Sequence, residues 1–257
     1  MRKDVENGME EKKIVVVGYG AMGKRIAEAI ENHPGWQLWG AVDPMNTPQC
    51  YGALDELPQP PDLIVDFSHP ANLAMICDYA RRNSVPCVLS TTGFSPAQED
   101  QCRELSAYVP VVRTQNTSLG VNVMEKILEV ITPILMDSFD IEITEKHHNK
   151  KIDAPSGTAK MLAQAVQKAG DFTVRHGREG VCPRQKGEIG VHSLRGGAIV
   201  GEHSVLFAGE GELIEIKHTA LSKQVFVAGA VKAAEFALRA PKGFYSMGDA
   251  LFEQTNA

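Results

Sequence analysis

The chain has 257 residues, a formal net charge of −6 (26 Lys+Arg against 32 Asp+Glu) and 43% hydrophobic residues. That balance describes a soluble globular protein of one or two domains and excludes a disordered chain. The acidity argues against nucleic acid as principal ligand, and no apolar run approaches the roughly 18 residues of a membrane span.

The first dozen residues are mostly charged or polar and read as a loose tail, not as a secretory signal. Cys50, Cys77, Cys87, Cys102 and Cys182 are scattered and form no Cys-x-x-Cys pair. They imply reduced thiols in a cytoplasmic protein, with neither a zinc site nor a disulfide framework.

Residues 13–17 are a continuous apolar run closed by Gly18, the pattern of a strand covered on both faces. Gly18-Tyr19-Gly20-Ala21-Met22-Gly23 follows, and helical spacing then runs over 22–32. This is G-x-G-x-x-G between a strand and a helix. The first glycine permits the tight turn, the second lets a pyrophosphate approach, and the third allows close packing. The helix start offers free N–H groups to the phosphates. A second strand is expected over 38–42. It ends at Asp43, 20 residues past Gly23, where a carboxylate would accept the adenosine ribose hydroxyls. These features predict dinucleotide binding. Pro44 and Ala21 supply no cation for a 2′-phosphate, which favours NADH, while Lys24 keeps NADPH open.

Strands at 63–67, 85–89 and 109–113 continue the series, with a helix from Pro70 to about Asn83. Ser95, Pro96 and Gln98 supply the N-cap, N1 proline and capping-box glutamine of another helix. This alternation implies a doubly wound parallel sheet. The loops Phe67-Ser68-His69, Ser90-Thr91-Thr92-Gly93 and Gln115-Asn116-Thr117 then leave its carboxyl ends, facing the nicotinamide. Serine and threonine also serve ordinary turns, so each of these residues reads equally well as structural.

From Leu119 the pattern changes. A helix is expected over 121–136, bent at Pro133, then a strand over 140–146 and a helix over 158–169. Strands at 189–194, 199–207 and 213–218 follow without helices, the last two joined by Gly209-Glu210-Gly211. A helix over 222–239 returns the chain to the first lobe. The fold expected is α/β: a Rossmann domain (1–118 and 230–257) with an inserted α+β domain (119–229).

The densest polar cluster runs from Glu145 to Thr158 and contains His147, His148, Lys150 and Lys151. A solvated basic loop is one reading. The other rests on Ser156-Gly157-Thr158 at a helix start, where N–H groups and hydroxyls form an anion site near Lys151. A histidine there can supply a proton near neutral pH. The composite suits a small dicarboxylate plus a proton donor. Adjacent histidines point apart, so no metal is expected. Arg195-Gly196-Gly197 and Gly201-Glu202-His203 read at least as well as turns and a structural histidine.

The core His-His-x-x-Lys-x-Asp-Ala-Pro-Ser-Gly-Thr-Ala, residues 147–159, resembles the signature of dihydrodipicolinate reductases. Asp66-Phe67-Ser68-His69-Pro70, Thr91-Thr92-Gly93, the 116–122 segment and Gly201-Glu202-His203 extend the similarity along nearly the whole chain. The resemblance implies a nicotinamide-dependent oxidoreductase of the diaminopimelate–lysine pathway, acting on a cyclic imine dicarboxylate and forming a homotetramer through its second sheet. By motif, His147 corresponds to the proton donor and Lys151 to the cation assisting it. His148, Ser156, Gly157 and Thr158 correspond to substrate-carboxylate contacts. Phe67, Ser68, Thr92, Gln115 and Thr117 fall where the family meets its cofactor. The short Gly18–Gly23 loop, Ser90 in place of glycine and Thr117 in place of phenylalanine depart from the family pattern, all on the cofactor side.

Two rivals stand beside this reading. Another two-lobed dehydrogenase acting on an amino acid or sugar would share the glycine loop but need no His-His-x-x-Lys cluster. A non-catalytic NAD(H)-sensing protein would bind cofactor without turnover.

Overall fold

The computed structural model describes residues 11–45 and 47–252, so the tail expected at the amino terminus lies almost wholly outside the described residues. The chain divides into two compact units, one of Met1–Thr114 with Val227–Ala257 and one of Gln115–Phe226. The divisions fall after 114 and 226, where 118 and 229 were expected. Residues 116–118 are tied within the second unit. Asn116 Nδ2 donates to Thr158 Oγ1 (2.7 Å), and Thr117 Oγ1 donates to the Phe226 carbonyl (2.7 Å).

The first unit is built on β1 (Lys12–Val17), β2 (Trp36–Val42), β3 (Leu63–Asp66), β4 (Cys87–Leu89) and β5 (Pro110–Arg113). Helices α1 (Ala21–Glu31), α2 (Leu73–Asn83) and α3 (Pro96–Leu105) connect them in the alternating pattern expected. β11 (Gly243–Tyr245) adds a sixth strand, followed by α7 (Met247–Phe252). The strand order is β11-β5-β4-β3-β1-β2, all parallel. Ile14 through Val17 are 0% exposed, because β1 lies inside the sheet between β3 and β2 and is covered on both faces. Full burial of each such side chain contributes roughly 1.5–3 kcal/mol. The chain runs from β1 to β2 on one side and then to β3 on the other. That reversal places the ligand crevice of such a sheet at the carboxyl ends of β1 and β3.

Local chemistry accounts for the ends of these elements. Ser95 and Gln98 form the full capping box at α3. Pro70 opens a short 3-10 turn, Pro70–Asn72, before α2, instead of α2 itself. Ser84 ends α2 in the left-handed region (φ 56), so Val85 donates back to Ala80 and the strand starts only at Cys87.

The second unit contains α4 (Leu119–Leu135), β6 (Asp140–His147), α5 (Gly157–Gln167), β7 (Thr173–His176), β8 (Glu188–Arg195), β9 (Gly201–Ala208) and β10 (Leu213–Ala220). α6 (Gln224–Ala237) follows and carries the chain into the first unit. The sheet order is β10-β9-β6-β8-β7, with β9 antiparallel to β6 and β10 and the others parallel. β8 and β9 are consecutive in the chain, yet they flank β6 on opposite sides. Ile141 and Ile143 of β6, Ile189 and Val191 of β8, and Val205 and Phe207 of β9 share one buried core with Leu128 of α4 and Leu162 of α5. The alternation expected for β6 follows: Ile141, Ile143 and Glu145 are buried, with Glu142, Thr144 and Lys146 between them.

Candidate active site

In the first unit the glycine loop meets the β3 loop closely. Gly18 has φ +88, and a Cβ there would stand 2.6 Å from the Phe67 carbonyl oxygen and from Ser68 Cα. A Cβ on Gly23 would stand 1.8 Å from the Gly18 carbonyl oxygen, whereas one on Gly20 would meet nothing within 4 Å. The two outer glycines are therefore demanded by the chain, and the middle one leaves a clear approach. Gly23→Ala is expected to cost at least about 1–3 kcal/mol by overpacking, read as a lowered Tm. An unchanged Tm would show that the loop yields freely.

Gly20 caps α1 without a side-chain hydrogen bond, so the first N–H groups, those of Ala21, Met22 and Gly23, are offered outward. Asp43 follows β2, its carboxylate accepting from Met45 N–H (3.2 Å) and the Thr47 hydroxyl. Around the β3 and β4 ends, Ser68 N–H donates to Thr91 Oγ1 (2.8 Å) and Ser68 Oγ donates to Asp66 Oδ1 (2.5 Å). Burial raises the Asp66 carboxyl, against the hydrogen bonds of Ser68 and Thr91. Ser90 Oγ is buried with no hydrogen-bond partner, and Thr92 is exposed. An outward helix start, an open glycine and an unpartnered buried hydroxyl suit a dinucleotide. Arg113, not anticipated from sequence, organises this region. It pairs with Glu99 (2.7 Å) and donates from Nη1 to the Leu89, Thr91 and Thr114 carbonyls.

Gln115 and Thr117 fall in the second unit. Gln115 is exposed, while Thr117 is 2% exposed with its hydroxyl engaged by Phe226.

The second unit gathers a polar cluster at the end of β6. Glu145 is 0% exposed. Its oxygens accept from His147 Nδ1 (2.6 Å), from Arg195 Nη1 (2.8 Å) and Nη2 (2.7 Å), and from Ser156 N–H (3.1 Å). Burial alone would raise this carboxyl. Hydrogen bonds from Arg195, His147, Ser193 and the Ser156 N–H outweigh it and hold it at about 2. As an anion it can only accept, so His147 Nδ1 carries the proton and Nε2 remains as the ring's other face. Burial lowers the His147 imidazole; Glu145 pulls it up, and Lys151 and Arg195 push it down again. His203 packs edge-on against His147 with ring centroids 5.2 Å apart, and burial holds its imidazole at about 3.

Ser156 N-caps α5, its Oγ accepting from Ala159 N–H (3.1 Å) and lying 2.9 Å from His203 Nε2. Its N–H and hydroxyl are thus engaged inside the chain. The N–H groups of Gly157 and Thr158 remain as the outward donors of the helix start, and a Cβ on Gly157 would meet nothing within 4 Å. Lys151 Nζ donates to Asp153 Oδ1 (2.7 Å), and Arg195 Nη2 donates to the Asp153 carbonyl (2.7 Å), which joins Lys151 to the cluster. His148 lies just past β6, half-buried. Glu145, Arg195 and His203 are therefore central to the geometry, whereas sequence alone leaves Arg195 and His203 reading at least as well as a turn and a structural histidine. Among the described residues no group of three or more His, Cys, Asp or Glu side chains is placed to hold a metal, and no helix is long and apolar enough to cross a membrane.

Residues 12–117 match the family model "Dihydrodipicolinate reductase, N-terminus" and residues 120–251 match "Dihydrodipicolinate reductase, C-terminus". The 4-hydroxy-tetrahydrodipicolinate reductase of Clostridium novyi is 42% identical over 246 residues, covering 93% of this chain and 98% of its own. That of Exiguobacterium sibiricum is 41% identical over 249 residues, covering 95% and 98%. The fold is similar to dipicolinate-bound dihydrodipicolinate reductase from Paenisporosarcina sp. TG-14, with a TM-score of 0.76 at 22% identity, covering 94% of this chain and 99% of that one.

Proposed function

The chain belongs to the dihydrodipicolinate reductase family, and on that premise we infer that it reduces 4-hydroxy-tetrahydrodipicolinate in the diaminopimelate–lysine route. The reading is carried by the pair of buried Glu145 and half-buried His147, which stands at the start of α5 through the Ser156 N–H.

The dinucleotide would lie on the Gly18–Gly23 loop and the α1 start, with Asp43 at the ribose and Phe67, Ser68, Ser90 and Thr92 assigned to the rest. Bound there, its nicotinamide supplies the hydride. NADH is the preferred form, because Asp43 is followed by Pro44 and not by a cation, with Lys24 admitting NADPH. The Gly157 and Thr158 N–H groups, His148 and Lys151 take the two substrate carboxylates. To do so, Lys151 exchanges the Asp153 carboxylate for one on the substrate. Ser156 builds this anion site by capping the helix.

Loss of the substrate hydroxyl together with a proton from a neighbouring ring carbon, as water, leaves a conjugated cyclic imine. Hydride addition to its ring makes a neighbouring carbon electron-rich, and that carbon takes the proton held on His147 Nε2. The resting imidazole is kept low by burial. The charge of a bound dianion favours its second proton, so acid and substrate arrive together.

The enzyme is proposed to be cytoplasmic and homotetrameric. The face of the second sheet turned away from α4 and α5 exposes Leu194 (47%) beside the Lys146–Glu202–Lys217 ion pairs and Leu213 (68%) at the far end of β10, a surface suited to another copy of the sheet.

With enzymatically generated substrate, the absorbance of NADH and of NADPH should fall in separate reactions, faster with NADH and only when substrate is present. No loss with either removes the assignment. Lys151→Ala should raise KM by about 10- to 100-fold, the worth of a charge-assisted hydrogen bond, with a smaller effect on kcat. A KM within about twofold of wild type would remove Lys151 from the substrate contacts.

A further inference from the structure

An imidazole has two nitrogens, and only the one facing the substrate can deliver a proton to it. His147 Nδ1 is 2.6 Å from Glu145 Oε2, and Glu145 is fully buried between that ring and the Arg195 guanidinium. The opposite nitrogen looks toward the start of β9, where a Cβ on Gly201 would stand 3.2 Å from Nε2. A side chain at that position would crowd Nε2, and the glycine spares it that contact. The charged and titratable groups around the ring are Glu145 from β6, Arg195 from β8, His203 from β9 and Lys151 from the loop after β6. Of these, Glu145 is the acceptor bonded to the ring.

We propose that Glu145, clamped by Arg195, is the positioning residue that fixes one proton of His147 on Nδ1 and turns Nε2 to the substrate, so that proton delivery runs through that single nitrogen. The proposal rests on the assignment of His147 as the acid. The clamp matters because a carboxylate held in a two-pronged ion pair stays an acceptor and does not take the ring proton itself. Such outer partners of a functional histidine set its tautomer and direction.

Glu145 also accepts the Ser156 N–H and so props the anion site. A purely structural role would therefore appear as a raised KM at unchanged kcat. The positioning role predicts the opposite split. Glu145→Gln should lower kcat by about 30- to 100-fold and KM should move by less than about threefold. The pH profile of kcat should shift along with it. In a His147→Ala background the same substitution should change kcat by less than about threefold, since there is no imidazole left to position. If Glu145→Gln does not fold, Arg195→Lys, which keeps the charge and loses the fork, is measured in the same cycle with the same expectation.

A readout that needs neither variant nor turnover is the side-chain ¹⁵N spectrum of the wild-type protein. It should show His147 protonated at Nδ1 and bare at Nε2 above the imidazole titration. The opposite tautomer, an unchanged kcat, or an effect fully additive with His147→Ala overturns the proposal. A silent His147→Ala, by contrast, overturns the assignment of the acid itself, so the two failures are distinguishable.

Discussion

Replacing His147 with alanine should lower kcat by about 100- to 10,000-fold, the usual worth of a positioned general acid, and leave NADH and NADPH dissociation constants within about twofold. The selectivity follows from where the side chain sits. His147 belongs to the second unit, bonded to Glu145, while the glycine loop and Asp43 belong to the first. Loss of the ring should leave the fold intact, because Glu145 keeps both Arg195 hydrogen bonds and the Ser156 N–H. Steady-state kinetics and a fluorescence titration of each cofactor measure the two halves of the expectation. Wild-type turnover in the variant removes His147 as the acid. A large loss of cofactor affinity would move its role away from the substrate.

Arg195→Ala should be the most damaging change to stability, at about 3–5 kcal/mol near neutral pH. It removes the strongest of the hydrogen-bond partners that together outweigh desolvation at Glu145 and leaves a fully buried carboxylate short of its main counter-charge. The sign with pH can be worked through. In wild type the folded carboxyl sits at about 2, below its ordinary 4.5. Its stabilising contribution is therefore present above 4.5 and is lost as pH falls toward 2. In the variant, burial is opposed only by His147, Ser193 and the Ser156 N–H, so the carboxyl rises from its wild-type position and protonation relieves part of the strain. The gap between the two proteins should narrow as pH falls below the carboxylate range. Urea unfolding at a series of pH values measures it. A gap independent of pH would place the cost elsewhere, in lost packing or in the Asp153 loop that Arg195 also holds.

How much was legible beforehand depended on whether the determining contacts are near in sequence. β1 could be read because four consecutive buried side chains need no partner to be recognised. The glycine loop could be read because the demands on Gly18 and Gly23 arise within that loop and its neighbour. β7 and β11 leave no signal in the sequence: they are edge strands of four and three residues, and none of these residues is fully buried, so no period stands out. Sequence cannot separate a helix-capping role from a substrate-binding one at Ser156, since both kinds of serine share the same neighbours. Only the position of His203 reveals that the hydroxyl is engaged inside the chain. Arg195 and Glu145 are 50 residues apart, and no local pattern announces their pairing.

That distance has a kinetic corollary. β6 is flanked by β8 on one side and β9 on the other, with Glu145 opposite Ser193 and His203 in register. A slip of one residue in either pairing would turn the whole strand over and carry Arg195 or His203 to the wrong face. Half-zipped intermediates of the second sheet therefore hold no acid, no clamp and no α5 anchor, whatever their helical content. Contacts this far apart along the chain also form slowly. In a refolding time course, turnover should lag the far-ultraviolet helical signal and rise with the last strand to dock.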